Sequence, residues 1–467
     1  MDTLPQWIQD CESHRSIDSY YYFFHKAHPF APAKSYMQSR IQSQDASAVL
    51  LYAAMNYVGC MYQQSPPERD RKALVLQQAR RARQPPRTPS PRHVYQVATL
   101  LLLTIVAYGK GEVEEASDNL EKAISLAVDI GMDRVDSITA LRDREFVELW
   151  KRTYWYLYIM ADALQDADTN RDFRLECPGP DFPLPCTYDS SPQMTLSQFD
   201  TADFEDHAYI FPSLVYLIAL VRISQSIKRL NAGLGDHFDR AVIRTHAMLM
   251  NWKLHLPLEK QSAVTKSGEI DHIMFQSHIL FYSLRVFMHT SLPGSSGGDD
   301  EPLRARTRLE SCEAGASLLT LPTCLLQMSP LIIKPLSRCA VTSLNTAPPP
   351  DSDFHARNNL RLVLGAMKQV SVVWKGAEQE SQALKAMARI AYSIPSLRAP
   401  ANLTTSQPSP VDVLSGDIHF QFHDAHYFDQ DGDVGTAAEV RDIFVGTPIF
   451  ERVSGASEEA SVLSWQL

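Results

Sequence analysis

Apolar residues recur every three or four positions along most of the chain, and this spacing predicts amphipathic α-helices. Residues 94–108 are apolar almost all round, which predicts a helix buried on every side. Residues 113–130 have one apolar face with acidic residues on the others, so a second helix is expected there. A third helix, over residues 146–161, carries so many aromatic side chains that we expect it to be central. These helices lie within residues 93–186, around which we expect the chain to be organised.

Three glycines are expected to end the first two of these helices. Gly109 and Gly111 follow the buried helix, and Gly131 follows the amphipathic one. Glycine tolerates the left-handed backbone conformation of a helix stop because it has no Cβ atom. Helical spacing continues to about residue 390, and no segment shows the sustained alternation of a strand. The sequence therefore predicts an all-α, multi-helical, bundle-like fold.

The sequence divides into four parts of different character. Residues 1–62 are expected to be an N-terminal helical part, residues 63–92 a basic, Pro-containing linker, and residues 93–390 the main helical domain. After these, Pro, Ser and Thr are followed by acidic residues interleaved with aromatic ones. We therefore expect residues 391–467 to be a disordered tail, and either an activation segment or a plain tail fits this composition.

Composition narrows the class of protein without identifying a chemistry. The 467 residues are 45 % hydrophobic and 21 % charged, which is typical of a globular protein. The formal net charge of -10 argues against a broad nucleic-acid-binding surface. No apolar run approaches the roughly 18 residues of a membrane span, and the first residues do not resemble a signal peptide. We therefore expect neither membrane contact nor secretion.

The cysteines and histidines predict neither a disulfide framework nor a zinc site. The seven cysteines are odd in number and widely spaced, and no CxxC pair occurs, so we expect reduced thiols. Cys177 and Cys186 flank a proline-rich loop, but lone cysteines more often pack as small hydrophobic side chains. His25 and His28 would share a helix face, yet no third metal ligand stands near them. We expect packed, hydrogen-bonded histidines there.

The sequence contains no catalytic constellation. No phosphate-binding loop, GxGxxG, HExxH or GxSxG motif occurs. Asp162 and Asp166 would share a helix face, but Lys or Arg complements and a second acidic motif are missing. Residues 429–433, DQDGD, resemble the start of a calcium loop, but Gly432 comes too early and Val440 stands where the loop needs Glu. We therefore expect no catalytic residue, no cofactor, no metal ligand and no enzymatic activity.

Basic residues cluster in the predicted linker and offer a candidate nuclear-import patch. The patch consists of Arg80, Arg81, Arg83 and Arg87. The alternative is a solvated helix face followed by an extended, proline-rich linker. On the sequence alone we favour this alternative.

These features occur in a recognisable order. Residues 22–32, YFFHKAHPFAP, precede the buried helix, and the aromatic helix leads into residues 176–186, ECPGPDFPLPC. This order, over roughly residues 15–390, resembles the fungal-specific transcription factor domain, which is the middle homology region of zinc-binuclear-cluster regulators. The resemblance implies a structural role for the family-motif residues Glu148, Arg152, Trp155, Tyr158, Asp181 and Pro185.

The sequence departs from this family in two places. Residues 170–172, Asn-Arg-Asp, stand near where the family has Gly-Arg-Pro, so we expect a looser turn. The six-cysteine zinc cluster, which needs CxxC pairs, does not occur, so no DNA-reading residue can be assigned. Zinc is expected only if an upstream zinc-cluster segment exists outside this sequence.

The resemblance implies a nuclear transcription regulator, often of a metabolic or secondary-metabolite gene set, that has no DNA-binding module of its own in this chain. The expected partners are the transcription machinery or a DNA-binding protein, with self-association and a small-molecule effector also open. One alternative is a helical scaffold or small-molecule-binding protein without a transcriptional role. Another is an all-α enzyme, for which the sequence supplies no set of converging residues.

Overall fold

Helices form the whole regular structure of the described residues. The computed structural model describes residues 8, 11–63, 68–167, 171, 173, 175–186, 193–202, 210–232, 238–291, 301–345 and 352–393. Over these ranges no strand occurs, and the β contacts are the isolated bridges Pro183–Thr195 and Val264–Ile270. The predicted all-α, multi-helical fold is confirmed. The expected tail lies outside the described residues from residue 394 onward.

The described part of the chain contains sixteen α-helices, and a π-helix over Tyr20–Phe24 follows the first of them. The α-helices are α1 (Cys11–Ser19), α2 (Lys34–Gln42), α3 (Ala46–Met61), α4 (Glu68–Arg80), α5 (Val94–Lys110), α6 (Val113–Asp129), α7 (Val135–Thr139), α8 (Arg144–Gln165), α9 (Leu196–Asp200), α10 (Ser213–Ala232), α11 (Phe238–Leu254), α12 (His272–Ser291), α13 (Glu301–Ser317), α14 (Ile333–Asn345), α15 (Ser352–Val370) and α16 (Lys375–Ser393).

The three helices that the hydrophobic pattern predicted are present. Helix α5 buries every residue from 94 to 109, as its continuous apolar sequence requires. Helix α6 packs against α5 through an apolar face that includes Ala116 and Leu120. Helix α8 begins at the N-cap Asp143, whose side chain accepts hydrogen bonds from the first backbone N–H groups of the helix. Most of α8 is buried, which confirms the central aromatic helix.

Two of the three predicted glycine stops are confirmed and one is wrong. Gly111 and Gly131 have φ angles of 80° and 74°, in the left-handed region, and they follow α5 and α6. Gly109 instead lies inside α5. A Cβ atom at this position would come within 2.5 Å of a ring carbon of Trp374, so glycine here allows α5 to approach that indole closely.

Residues 63–92, which were expected to be a basic, Pro-containing linker with a solvated helix face as part of it, contain a helix in the described structure. Helix α4 occupies the first part of this range and packs against α3. Val75, Ala79 and Ala82 are buried, since their spacing places them on the side that faces the helical body. The described buried apolar side chains of this region belong to one continuous core with those of α5 and α8. None of the described helices has the length and apolar character needed to cross a membrane.

Candidate regulatory site

A buried group of three charged side chains lies on one face of α8. Glu148, Lys151 and Arg152 have relative exposures of 1 %, 1 % and 8 %. The carboxylate of Glu148 pairs with Lys151 through one oxygen, and the other oxygen lies 3.2 Å from Arg152 Nε. These partners are three and four residues from Glu148, which is the spacing that brings helical side chains together. Because buried charges are costly unless they are paired, this triad fixes the positions of all three side chains.

The two cations of the triad also bind the loop that follows α8, residues 183–186. Lys151 Nζ donates to the carbonyl of Leu184 at 3.1 Å, and Arg152 donates to the carbonyl of Cys186 at 2.6 Å. One turn further along α8, Trp155 Nε1 donates to the carbonyl of Pro183 at 3.3 Å. Proline has no N–H group, so a loop with two prolines has few donors for its own carbonyls, and these carbonyls must accept hydrogen bonds from other parts of the chain. Helix α8 supplies three side-chain donors to them from one face.

The thiol and backbone of Cys186 complete this contact. The Cys186 N–H donates to a carboxylate oxygen of Glu148 at 3.1 Å, and its thiol donates to the other oxygen at 2.9 Å. Burial raises the pKa of this thiol, and the hydrogen bond to Glu148 raises it further. Cys186 is therefore held as a neutral thiol, which agrees with the prediction of packed, reduced cysteines.

The same face of α8 also holds a segment near the N-terminus of the chain. Arg152 donates to the carbonyl of Pro29 at 3.0 Å, and the hydroxyl of Tyr156 donates to the carbonyl of Ala27 at 3.0 Å. The ring of Phe30 packs against that of Tyr156, with 5.2 Å between centroids. We call the triad together with its contacts to residues 27–30 and 183–186 the clamp. It joins three parts of the chain that are distant in sequence.

The two histidines of the N-terminal segment are packed beside the clamp. Burial lowers the pKa of His28 from 6.5 to about 3, and the nearby His25 contributes in the same direction. The ring of His28 stacks on Phe24 with 4.5 Å between centroids. Within the described residues neither ring nitrogen of His28 has a hydrogen-bond partner. The expected packing is present, but the expected hydrogen bonding of His28 is not, because apolar and aromatic groups surround its ring.

A second group of buried charges lies at the C-terminal end of α8. Lys228 of α10 lies 2.9 Å from a carboxylate oxygen of Asp162 and 2.9 Å from one of Asp166. Arg338 of α14 lies 3.1 Å from Asp166, so two cations neutralise two carboxylates. Burial opposes the charged form of Lys228, but the two carboxylates raise its pKa above the usual value. The group ties α8 to α10 and α14 and leaves no carboxylate of this pair available for a metal–diphosphate site.

A groove lies between α9, α10 and α11. Its volume is about 600 Å³, and Tyr158 of α8 is one of its lining residues. The Tyr158 hydroxyl donates to Gln225 Oε1 at 2.9 Å. Arg222 makes two hydrogen bonds to the carboxylate of Asp200, at 2.7 and 3.0 Å. Burial alone would lower the pKa of Arg222, but the paired Asp200 raises it, so this side chain stays charged.

The family-motif residues fall in different places. Glu148, Arg152 and Trp155 belong to the clamp, and Tyr158 lies at the groove. Pro185 is buried within the clamped loop, whereas Asp181 is exposed in the preceding turn. The expectation that Asp162 and Asp166 lack Lys or Arg complements is wrong, because Lys228 and Arg338, which lie far along the chain, pair with them in the fold. Their partners could not be assigned without the fold.

Two of the four arginines of the candidate import patch form ion pairs with α6. Arg80 lies 3.1 Å from Glu115 of α6, and Arg83 pairs with the same carboxylate and donates to Asn119 at 2.8 Å. The side chains of Arg81 and Arg87 are exposed. Two members of the patch therefore fasten this segment to α6, and the other two face solvent.

The described residues contain no group of three or more His, Cys, Asp or Glu side chains arranged to hold a metal ion. The charged groups that the structure brings together, the clamp and the second group, are internal ion pairs. The groove offers both space and polar groups to another molecule.

The part of the chain that contains the clamp matches a known protein family. The family described as "fungal specific transcription factor domain" matches residues 15–253. The chain is similar to the C6 finger domain transcription factor iacK of Pestalotiopsis fici, with 24 % identity over 425 residues. That alignment covers 83 % of this chain and 61 % of the relative, so the chain spans less than two thirds of the relative's length. No solved structure matches the chain.

Proposed function

The chain belongs to the fungal specific transcription factor domain family, and from this membership we propose that it acts as a transcription regulator of the fungal type. We propose that it works in the nucleus and controls a metabolic or secondary-metabolite gene set. Its helical body would act as the regulatory part, in contact with the transcription machinery or with a DNA-binding partner. A helical scaffold without a transcriptional role is not favoured.

One observation carries this proposal. The range that matches the family, residues 15–253, contains every part of the clamp: residues 27–30, the triad on α8, and residues 183–186. The features that resemble the family in sequence are therefore the ones that hold the helical body together. The groove lies beside them. Its lining residues fall between Tyr158 and Pro257, and almost all of them are within the matched range.

Sequence-specific DNA contact is assigned to no residue of this chain. CxxC pairs do not occur in its sequence, and its net charge is -10. We propose that DNA is reached through a partner or through a zinc-cluster segment outside this sequence. A gel-shift titration of the purified chain tests this point, since tight binding that discriminates between DNA sequences would contradict it.

The regulatory role is tested by tethering. The full chain, fused to a DNA-binding domain without activity of its own, is expected to raise or lower transcription of a reporter that carries the matching site. A fluorescent fusion of the same chain is expected in the nucleus. The DNA-binding domain alone is the control. An unchanged reporter together with exclusion of the chain from the nucleus would favour the scaffold instead.

A further inference from the structure

The groove has the size of a small-molecule site. Its volume of about 600 Å³ falls within the roughly 300–1,000 Å³ typical of sites for drug-sized ligands. A folded partner or a long peptide would need a larger surface. The groove lies between helices of the bundle, which is a common place for such sites.

Aromatic side chains form much of the groove wall. Phe199 and Phe211 meet edge to face with centroids 5.0 Å apart, and Tyr216 packs against both. Two contacts hold the ring of Trp252 in place. Its indole N–H donates to the carbonyl of Tyr216 at 2.9 Å, and its ring stacks on Phe281. These rings are held by their neighbours and can contact a flat apolar ligand with little loss of conformational freedom.

A row of polar residues on α10 lines the same groove as the aromatic wall. Arg222, Gln225, Ser226 and Arg229 all line the groove, and their spacing of three, four and seven residues places them on one helix face. A ligand in the groove would therefore meet aromatic rings and this row together.

The described lining of the groove differs in charge from the whole chain. Among the described residues it contains two arginines and one aspartate, so one positive charge has no carboxylate counterpart in this described lining, although the formal net charge of the chain is -10. Arg222 is committed to Asp200. Arg229 is exposed, and within the described residues its guanidinium forms no ion pair. A planar guanidinium with free N–H groups is suited to a carboxylate or another oxyanion.

We propose that this groove binds a small organic acid with an aromatic or otherwise flat apolar body. The acid group faces Arg229 and the outer side of Arg222, and the apolar body lies against Phe199, Phe211 and Trp252. The proposal concerns binding by this chain and stands apart from the proposed function. A chain that binds such an acid but leaves the reporter unchanged would support this inference and contradict that function.

Two fluorescent probes test the proposal. Anilinonaphthalene sulfonate carries an acid group on an aromatic body, and phenylnaphthylamine is the same body without the acid. Fluorescence titration of the full-length chain is expected to show tighter binding of the sulfonate, by about tenfold. Arg229→Gln is expected to remove this preference by weakening the sulfonate about tenfold and the neutral probe less than about twofold. Arg244→Gln, an exposed α11 residue outside the groove lining, is the matched control and should change neither.

Variants that fill the groove locate the binding. Ala219→Trp places a large ring among the lining residues and is expected to weaken both probes. Met248→Trp does the same from the more exposed α11 side and serves if the first variant loses its helical circular dichroism.

Several results would overturn the proposal. These are equal affinity for the two probes, sulfonate binding weaker than about 1 mM, an Arg229→Gln variant with unchanged sulfonate affinity, or groove-filling variants that bind both probes normally. Another occupant is the acidic segment of this chain around Asp424, Asp429 and Asp431. If changing these residues to Asn raises sulfonate affinity in the full chain, that segment occupies the groove and the small-acid proposal is wrong.

Discussion

The clamp and the groove both include residues of α8, but they use charged side chains in opposite ways. In the clamp, Glu148 and its two cations are almost completely buried, and the cations also bind backbone carbonyls. In the groove, Arg222 shares its charge with Asp200 at a partly exposed position, and Arg229 faces solvent. The first arrangement has its main hydrogen-bonding groups already matched, whereas the second leaves a cation available beside aromatic rings.

This difference separates a structural role from a binding role. Buried ion pairs contribute little net stability, but removing one partner is strongly destabilising because an unpaired charge is left inside the protein. Exposed charges can be changed at little cost to the fold. The expected effects of substitution therefore differ greatly between the two regions, and three measurements test whether the distinction holds.

The largest effect is expected at the centre of the clamp. Glu148→Gln leaves Lys151 and Arg152 buried without a carboxylate, so the free energy of unfolding should fall by about 3–5 kcal/mol. Urea denaturation at neutral pH measures this change. Glu114→Gln, at an exposed position of α6, is the matched control, with an expected change below about 0.5 kcal/mol. A loss below about 1 kcal/mol for Glu148→Gln would show that the clamp does not hold the fold.

An intermediate effect, dependent on pH, is expected at His28. Its folded pKa is lowered from 6.5 to about 3, so the unfolded chain binds a proton more readily and stability falls as the pH drops below about 6.5 towards 3. From pH 7 to pH 5 this residue should account for a loss of about 2 kcal/mol. His28→Phe should remove that loss and leave stability at pH 7 nearly unchanged, since no hydrogen bond of the described ring is broken.

Urea denaturation of the natural chain and of His28→Phe at the two pH values makes this comparison. His14→Gln, at an exposed histidine of α1, should lose stability with acid as the natural chain does. An unchanged acid sensitivity in His28→Phe would show that His28 is protonated in the folded protein.

The smallest effect is expected in the groove. Arg229→Gln should change the free energy of unfolding by less than about 0.5 kcal/mol, because its side chain is exposed and no ion pair is lost among the described residues. Arg222→Gln, which breaks the pair with Asp200, should cost no more than about 1 kcal/mol. Thermal or urea unfolding distinguishes these values from the clamp variant. A loss above about 1 kcal/mol in Arg229→Gln would make the groove arginine structural.

Local patterns were enough to predict the fold class and the central helices. The continuous apolar run of α5 and the aromatic density of α8 depend only on neighbouring residues, and both helices were predicted close to their observed positions. Gly109 was misassigned because a glycine inside a helix and a glycine at its end look alike in sequence. The close approach of Trp374, far along the chain, is what distinguishes them.

The contacts of the site could not be derived in the same way. Glu148 and Arg152 were assigned a structural role by resemblance, but the partners of Arg152 are carbonyls at Pro29 and Cys186, and backbone atoms carry no signature in a sequence. The pairing of Lys228 with Asp162 and Asp166 likewise depends on the packing of α10 against α8. Helix periodicity does show that Arg222 and Arg229 share a face, but not that aromatic rings line the same groove.

The clamp also affects the order in which the chain can fold during synthesis. The hydrogen bond from Arg152 to Pro29 joins residues 123 positions apart, and the loop that completes the clamp lies further along the chain. At about 5–20 residues per second, a ribosome needs roughly eight to thirty seconds to extend the chain from Pro29 to Cys186. Until α8 has been synthesised, the aromatic segment around Phe24 and Phe30 has no helix face against which to pack. This segment therefore exposes aromatic surface for part of the synthesis of the chain.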